Sequence, residues 1–171
     1  ATGLVITLEN KPKKILFAKD NSMPRLIYGK QKGAISIPMT FSKMGESPKI
    51  SAKRVLQQEV FTQRAIDSTF PDELLNQDLA LILKIRILDI SLSIYHLEIP
   101  DDIAGSLTYS SFRMSEHVFL SSGEIEKLAQ EGKLRSGVLE ITNFYRQSLM
   151  GKEVAEKQVA SLNLLLRPGI Q

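Results

Sequence analysis

The chain of 171 residues contains no cysteine and no tryptophan. Without thiols it can form no disulfide bond, no thiolate metal site and no cysteine nucleophile. The two histidines, His96 and His117, stand far apart and form neither an HxxxH nor an HxH pair. Because two isolated histidines are a poor basis for a metal centre, we expect no catalytic metal and no other cofactor.

Long apolar runs free of charge are also missing. A membrane-spanning helix needs about 18 or more such residues, so we expect no transmembrane segment. No basic segment followed by an apolar one is visible near residue 1, so the sequence predicts no signal peptide. Together with the absence of cysteine, which favours a reducing compartment, this indicates a cytoplasmic location.

The sequence carries none of the short motifs that identify common active sites. There is no GxGxxG and no GxxxxGK[ST] to hold a phosphate, and no GxSxG to present a serine nucleophile. The segment Gly29–Gly33 is glycine-bounded and basic, but its spacing is that of a hairpin loop. Local motifs therefore assign no reaction to this chain.

The longest apolar stretch runs from Leu79 to Ile99 near the middle of the chain. Apolar residues alternate with polar ones along it, and the alternation changes phase twice. In a strand, a shift by one residue moves every side chain to the opposite face, so a phase change requires a bulge or a break. The pattern predicts one long bent strand or two strands joined near Leu88–Asp89, with Leu81, Leu83 and Ile85 in the core.

The remaining patterns predict an α+β fold. We expect an antiparallel β-sheet system, either a sandwich or an open barrel, of about six to eight strands, with one inserted helix and helices near the C-terminus. The predicted organisation is a single domain over 1–171. Its parts are a basic, β-rich N-terminal third over 1–50, a helix over 51–67 capped by Ser51, a central strand over 79–99, a strand pair over 105–120 and a helical region over 122–159.

Charge is distributed unevenly, although the net charge is only +3. Residues 1–54 hold eleven Lys and Arg against three acidic residues, a net of +8, whereas residues 55–171 have a net of −5. A basic segment on an acidic body favours contact with a polyanion or charge-paired self-association. The leading hypothesis is therefore a non-enzymatic binding or assembly protein, either a viral structural protein or a nucleic-acid-associated module. It would form a homo-oligomer and bind a polyanion such as RNA through Lys11, Lys13, Lys14, Lys30 and Lys32.

Two other functions stay open. The first is a small enzyme in which Asp89, His96 and Glu98 form a carboxylate and histidine site, with Asp101 and Asp102 nearby in sequence. His96 and Glu98 would share a strand face, as a general acid–base pair requires. The second is a β-barrel that binds a small molecule, with the central strand lining its cavity.

Overall fold

The computed structural model describes residues 1–149 and 155–159. Within these ranges the chain forms eight strands and five α-helices. The strands are β1 (Thr2–Leu8), β2 (Lys11–Asp20), β3 (Ala34–Ser36), β4 (Met39–Thr40), β5 (Ala80–Ile87), β6 (Ile90–Ile99), β7 (Met114–Ser121) and β8 (Ala155–Val159). The helices are α1 (Pro48–Glu59), α2 (Thr62–Ile66), α3 (Asp101–Ala104), α4 (Ser122–Gln130) and α5 (Val138–Ser148), with 3-10 turns at Leu26–Tyr28 and Asp72–Leu75.

All eight strands belong to one sheet. Its main path runs in the order β3-β2-β1-β6-β5-β8, with β4 added to β1 and β7 added to β2. The α+β class is confirmed, but the sheet is mixed, because β1 pairs with β6 and β5 pairs with β8 in parallel. Parallel neighbours require a long crossover connection, and the segment between β1 and β6 that contains α1 and α2 supplies one. Among the described strands the path ends at β3 and β8 and does not close on itself, which disfavours the hypothesis of a β-barrel that binds a small molecule.

Helices cover both faces of this sheet. Successive residues of β1 point to opposite faces, so Leu4 and Ile6 pack on one side and Val5 on the other. The first side buries the apolar face of α1 through Val55 and Leu56. The opposite side buries residues of α4 and α5, among them Ile125, Ile141 and Phe144. The result is two hydrophobic cores separated by the central strands.

The central apolar stretch forms two antiparallel strands, β5 and β6, that meet at a tight turn. Leu88 has a φ of 55° there, a left-handed backbone conformation. This is one of the two arrangements that the phase changes predict. A register shift between Leu81 and Leu83 turns Ile82 inward, so Leu83 and Ile85 are buried as expected whereas Leu81 is only half-buried.

Several boundaries differ from the predicted ones. The first helix begins at Pro48, where the side chain of Ser47 accepts a hydrogen bond from the Ile50 amide, so Ser47 and not Ser51 is the cap. The ring of Pro48 fixes its backbone φ angle near the helical value, which favours proline at the first helical position and accounts for the earlier start. The predicted single helix over 51–67 is also interrupted, because the backbone at Phe61 leaves helical geometry and pairs with Ser110.

The two later segments were also assigned incorrectly in part. In the predicted strand pair over 105–120 only β7 is a strand. Before it, Ser110 makes an isolated bridge with Phe61 at the junction of α1 and α2 and does not pair with a neighbouring strand. The predicted helical region over 122–159 contains α4 and α5 but ends in strand β8, whose parallel pairing with β5 decides its conformation. Residues 150–154 of that region and residues 160–171 lie outside the described residues. No helix in the described ranges is long and apolar enough to cross a bilayer.

Candidate functional site

A charged cluster lies where the end of α1 meets the ends of β2 and β7. Glu59, the last residue of α1, follows Val55 by one helical turn and therefore lies on the face that α1 buries. Its side chain is only 4% exposed. The Glu59 carboxylate lies 3.8 Å from a guanidinium nitrogen of Arg113, whose side chain is 63% exposed. The buried carboxyl group of Glu59 thus contacts a side chain that is itself exposed to solvent.

The surroundings of Glu59 disfavour its charged form. Burial raises the pKa of Glu59 to about 7, although the positive charge of Arg113 opposes the shift. The carboxylate of Asp20 adds to the increase, whereas Lys30 and Arg135 act against it. The negative end of the α1 dipole at the helix C-terminus also disfavours a second negative charge. Glu59 therefore gains and loses a proton near neutral pH, which is the requirement for a general base or acid.

A second buried carboxyl group, Asp20, lies at the end of β2 and has the opposite character. Its two oxygens accept hydrogen bonds from the Ser22 amide at 2.9 Å and the Ser22 hydroxyl at 2.5 Å, and from Arg135 at 3.4 Å. Lys30 lies 3.2 Å from the same carboxylate and also donates to the Ser22 hydroxyl. Burial opposes ionisation, but these bonds and the charge of Lys30 together lower the pKa of Asp20.

His117 anchors the end of α1 against β7. Its Nε2 lies 2.8 Å from the carbonyl oxygen of Glu59, so this nitrogen carries the proton and donates it. The ring stacks on Tyr109 with centroids 6.0 Å apart, and burial lowers the pKa of His117. A left-handed Glu116 (φ 54°) and a register shift in the β2–β7 pairing accompany this placement. The uncharged ring thus positions the Glu59 backbone through a hydrogen bond.

The residues of the alternative enzyme hypothesis do not form a site together. Asp89 lies in the β5–β6 turn, where its carboxylate accepts a hydrogen bond from the Tyr28 hydroxyl. His96 lies seven residues further along the chain in β6, which places it about 23 Å from Asp89, because an extended residue spans about 3.3 Å. The His96 ring contacts the Thr7 hydroxyl at 2.9 Å and the Tyr145 hydroxyl at 3.3 Å, and burial lowers its pKa. Glu98 shares the strand face of His96 but not the neighbourhood of Asp89.

The five lysines predicted to bind nucleic acid lie in different environments. Lys11, Lys13 and Lys14 are exposed in strand β2, not in a loop, and Lys32 is exposed beyond the 3-10 turn. Lys30 was expected to be an exposed loop residue, but it is only 8% exposed because it is paired with Asp20. The role of the other four lysines in polyanion binding stays a prediction.

Sequence analysis missed Glu59, Asp20, Arg113 and Arg135 as site residues. One local signal was present, since Glu59 falls one turn after Val55 on the apolar face of the predicted helix. An acidic residue at such a position requires partners or a shifted pKa. The partners themselves are up to 115 positions away from Asp20 along the chain, and no local pattern connects them.

No family model matches the chain, and no curated protein matches it in sequence. Its fold is nevertheless that of several solved hydrolases. An Ap4A hydrolase from C. elegans in a binary complex superimposes with a TM-score of 0.59 and 13% identity, over 88% of this chain and 98% of that chain. A NUDIX hydrolase from Nitrosomonas europaea gives 0.59 and 14%, over 93% and 77%. An ADP-ribose pyrophosphatase from Streptococcus suis gives 0.56 and 11%, over 92% and 96%.

These similarities correct the leading hypothesis from the sequence. A non-enzymatic, self-assembling or RNA-binding protein of viral type was the wrong interpretation, because the three solved structures reported above, which share this fold, are hydrolases or pyrophosphatases. The homo-oligomer and nucleic-acid partners that accompanied it gain no support. Of the functions left open by the sequence, a small enzyme is the class to which these three similar structures belong.

Proposed function

We propose that this protein is a hydrolase that cleaves a phosphoanhydride bond in a nucleotide-linked diphosphate or polyphosphate. The observation that carries the proposal is Glu59, a buried carboxyl group with a pKa of about 7 that lies 3.8 Å from the exposed Arg113. The substrate class is suggested by the similar structures, which are described as an Ap4A hydrolase and an ADP-ribose pyrophosphatase.

In the proposed reaction Glu59 acts as the general base. Its carboxylate takes a proton from a water molecule while the water oxygen forms a bond to phosphorus. The bridging P–O bond breaks, and the departing phosphate ultimately receives the proton. Arg113 contacts the phosphate oxygens, since its guanidinium is exposed and its planar donors match a phosphate. Because negative charge is redistributed over these oxygens as the bond breaks, a cation at this position stabilises the transition state.

Asp20 has a different part in this proposal. It holds Lys30 and Arg135 at the edge of the cluster, so their positive charges are present before a substrate arrives. An arrangement that is already in place requires no reorganisation during the reaction. Lys30 and Arg135 therefore add favourable potential for an anionic substrate, whereas Arg113 makes the direct contact.

Phosphoryl-transfer enzymes commonly use Mg²⁺, which is held by carboxylate oxygens. The described part of the chain contains no group of three or more His, Cys, Asp or Glu side chains that could hold a metal ion. Mg²⁺ in such sites is usually bound by one or two carboxylates together with substrate phosphates. That leaves Glu59, because Asp20 is already paired with two cations, and a carboxyl group that takes the proton from water does not also hold a metal ion. The described residues of this cluster therefore do not fit a Mg²⁺ site, and no step of the proposed reaction passes through the ion.

The test is hydrolysis of ADP-ribose and of Ap4A by the purified protein, with MgCl₂ and with EDTA, followed by anion-exchange chromatography of the products. We expect Glu59→Gln to reduce kcat/KM by about 10²- to 10⁴-fold, the usual contribution of a general base. The matched control is Glu126→Gln, because Glu126 is a half-exposed carboxylate on α4 that pairs with Arg146. This control is expected to retain wild-type activity.

Two results would overturn the proposal. The first is a wild-type protein that cleaves neither substrate under either condition. The second is hydrolysis that Glu59→Gln leaves at the wild-type rate, since the activity would then belong to another site or to a contaminant. The thermal unfolding of each variant is measured in parallel, so that a loss of fold is not counted as a loss of catalysis.

A further inference from the structure

Two phenylalanine side chains beside the charged cluster are left in water. Phe112 is 83% exposed and Phe41 is 55% exposed, whereas the large aromatic residues of the core, such as Phe17 and Phe61, are fully buried. A single exposed apolar residue is common on protein surfaces and needs no explanation. These two, however, lie on separate segments that are both attached to the same turn of α1.

Phe41 is held at one side of this turn. The hydroxyl of its neighbour Thr40 contacts the side-chain oxygen of Gln58 at 3.2 Å. The Arg54 guanidinium donates to the backbone oxygen of Phe41 at 2.5 Å. The guanidinium of Arg25 lies 5.8 Å from the centre of the Phe41 ring, within the range of a cation–π contact. The ring is thus exposed, but the segment that carries it is tied to α1.

Phe112 is held at another side of the same turn. The hydroxyl of its neighbour Ser111 donates to the backbone oxygen of Gln58 at 2.9 Å. Its other neighbour, Arg113, contacts Glu59 at 3.8 Å. Within the described ranges the Phe112 ring has no aromatic partner. Both segments are therefore fixed to the last turn of α1, which ends at Glu59, and both rings remain accessible.

We infer that Phe41 and Phe112 bind the nucleobase of the substrate whose phosphates lie at Arg113 and Glu59. The inference rests on the proposed function for the phosphate end of the substrate. A nucleotide has a flat π-system, its base, and an anionic chain, its phosphates. An aromatic ring can stack on the base, and a cationic cluster next to the ring can bind the phosphates. Arg25 supports the Phe41 side, since a guanidinium can stack on a base as well as on the phenyl ring. Stacking accepts any base, so these rings select nucleotides as a class.

The test is calorimetric binding to the Glu59→Gln variant of the 171-residue chain, which is expected to bind without turnover. ADP-ribose and inorganic tripolyphosphate serve as probes, because only the first contains a base. We expect Phe112→Ala and Phe41→Ala each to weaken ADP-ribose binding by about 5- to 100-fold and to leave tripolyphosphate binding unchanged. Phe112→Trp should restore the affinity. Leu149→Ala is the matched control, because Leu149 is a half-exposed apolar residue at the end of α5.

The outcomes separate this inference from the proposed function. If the phenylalanine variants bind ADP-ribose as tightly as their parent, or lose tripolyphosphate binding equally, base stacking by these rings is excluded even if hydrolysis is found. If Phe112 and Phe41 are required for ADP-ribose binding but the wild type hydrolyses nothing, the inference stands and the proposed reaction fails. Absence of ADP-ribose binding to any variant overturns the inference.

Discussion

Asp20 and Glu59 are two buried carboxyl groups of one charged cluster, yet their ionisation is shifted in opposite directions. Asp20 is surrounded by Ser22, Lys30 and Arg135, and its pKa is lowered. Among the described residues Glu59 has a single cation in contact, and burial raises its pKa to about 7. The same cost of burial is therefore compensated at one carboxyl group and left largely uncompensated at the other.

The difference indicates two roles. A carboxylate that accepts several hydrogen bonds and pairs with two cations keeps its charge and holds those cations in place. A carboxyl group with few partners costs stability when ionised, but it can exchange protons at neutral pH. Asp20 thus maintains the arrangement of the cluster, while Glu59 supplies its reactivity. Three substitutions would break or sharpen this contrast.

The largest effect is expected when Asp20 loses its charge. Asp20→Asn should reduce the free energy of unfolding by about 3–5 kcal/mol at pH 7, because it leaves Lys30 and Arg135 with uncompensated buried charges. The native pKa of Asp20 is lowered, so its contribution is present above its unfolded pKa and is lost as the pH falls through the native pKa. The difference from wild type, measured by urea unfolding, should therefore shrink in acid.

The control for this measurement is Glu116→Gln, which removes an exposed carboxylate paired with Lys19. Exposed ion pairs contribute about 0–1 kcal/mol, so this variant should differ little from wild type. A loss for Asp20→Asn no larger than that of the control would show that Asp20 is not the structural anchor of the cluster.

A smaller effect of opposite sign is expected for Glu59→Gln. The pKa of Glu59 is raised from near 4.5 to about 7, so the native protein binds the extra proton and loses stability as the pH rises through that range. Glutamine cannot ionise and escapes this loss. At pH 8 the variant should be more stable than wild type by about 3 kcal/mol, because the pKa shift from 4.5 to about 7 is worth about 1.4 kcal/mol for each pH unit. Near pH 4 the two proteins should unfold alike.

Urea unfolding at both pH values checks this expectation. Glu124→Gln is not a suitable control, because Glu124 closes the capping box of α4 through Ser121. Glu126→Gln changes an exposed carboxylate instead and should leave the pH dependence as it is in wild type. A Glu59→Gln variant that is less stable at pH 8 would contradict the assignment of Glu59 as a destabilising, reactive group.

The fold was easier to predict from the sequence than the site, and the reason is the range of the interactions involved. The turn at Leu88–Asp89 and the start of a helical region at residue 122 depend on neighbouring residues, and both are present. The direction of strand pairing depends on connections of many residues. The sequence therefore predicted the α+β class, but it missed the parallel pairing of β1 with β6.

The charged cluster is an extreme case of such long-range assembly. Its members come from β2, the following loop, the end of α1, the start of β7 and the segment before α5. Each residue alone is an ordinary polar residue in the sequence. Only the fold shows that Glu59 is buried and that Lys30 is not a surface lysine. The net charge over residues 1–54 was therefore interpreted as surface charge, although Lys30 and Asp20 form a buried ion pair.

The smallest effect concerns Arg113, the cation whose guanidinium lies 3.8 Å from Glu59. Arg113 holds the pKa of Glu59 below the value that burial alone would give, so Arg113→Ala should raise that pKa further. If Glu59 is the general base, kcat/KM rises as the pH passes its pKa, and the midpoint of this profile should move up by roughly half to one pH unit. The figure follows from about 1 kcal/mol between two charges near 4 Å in water-like surroundings. Arg113→Lys retains the charge and should keep the midpoint close to that of wild type.

Salt sharpens the same measurement. Arg113 is 63% exposed, so ions screen its charge. The wild-type midpoint should therefore rise with NaCl towards that of Arg113→Ala, whereas the midpoint of the alanine variant should stay nearly constant. Arg146→Ala is the control, because it removes an exposed arginine that pairs with Glu126 on α4 instead of Glu59. A midpoint that moves equally in Arg146→Ala would reflect net charge and not the Arg113–Glu59 contact. A midpoint that does not move in either variant would show that the ionisation seen in the rate belongs to a group other than Glu59.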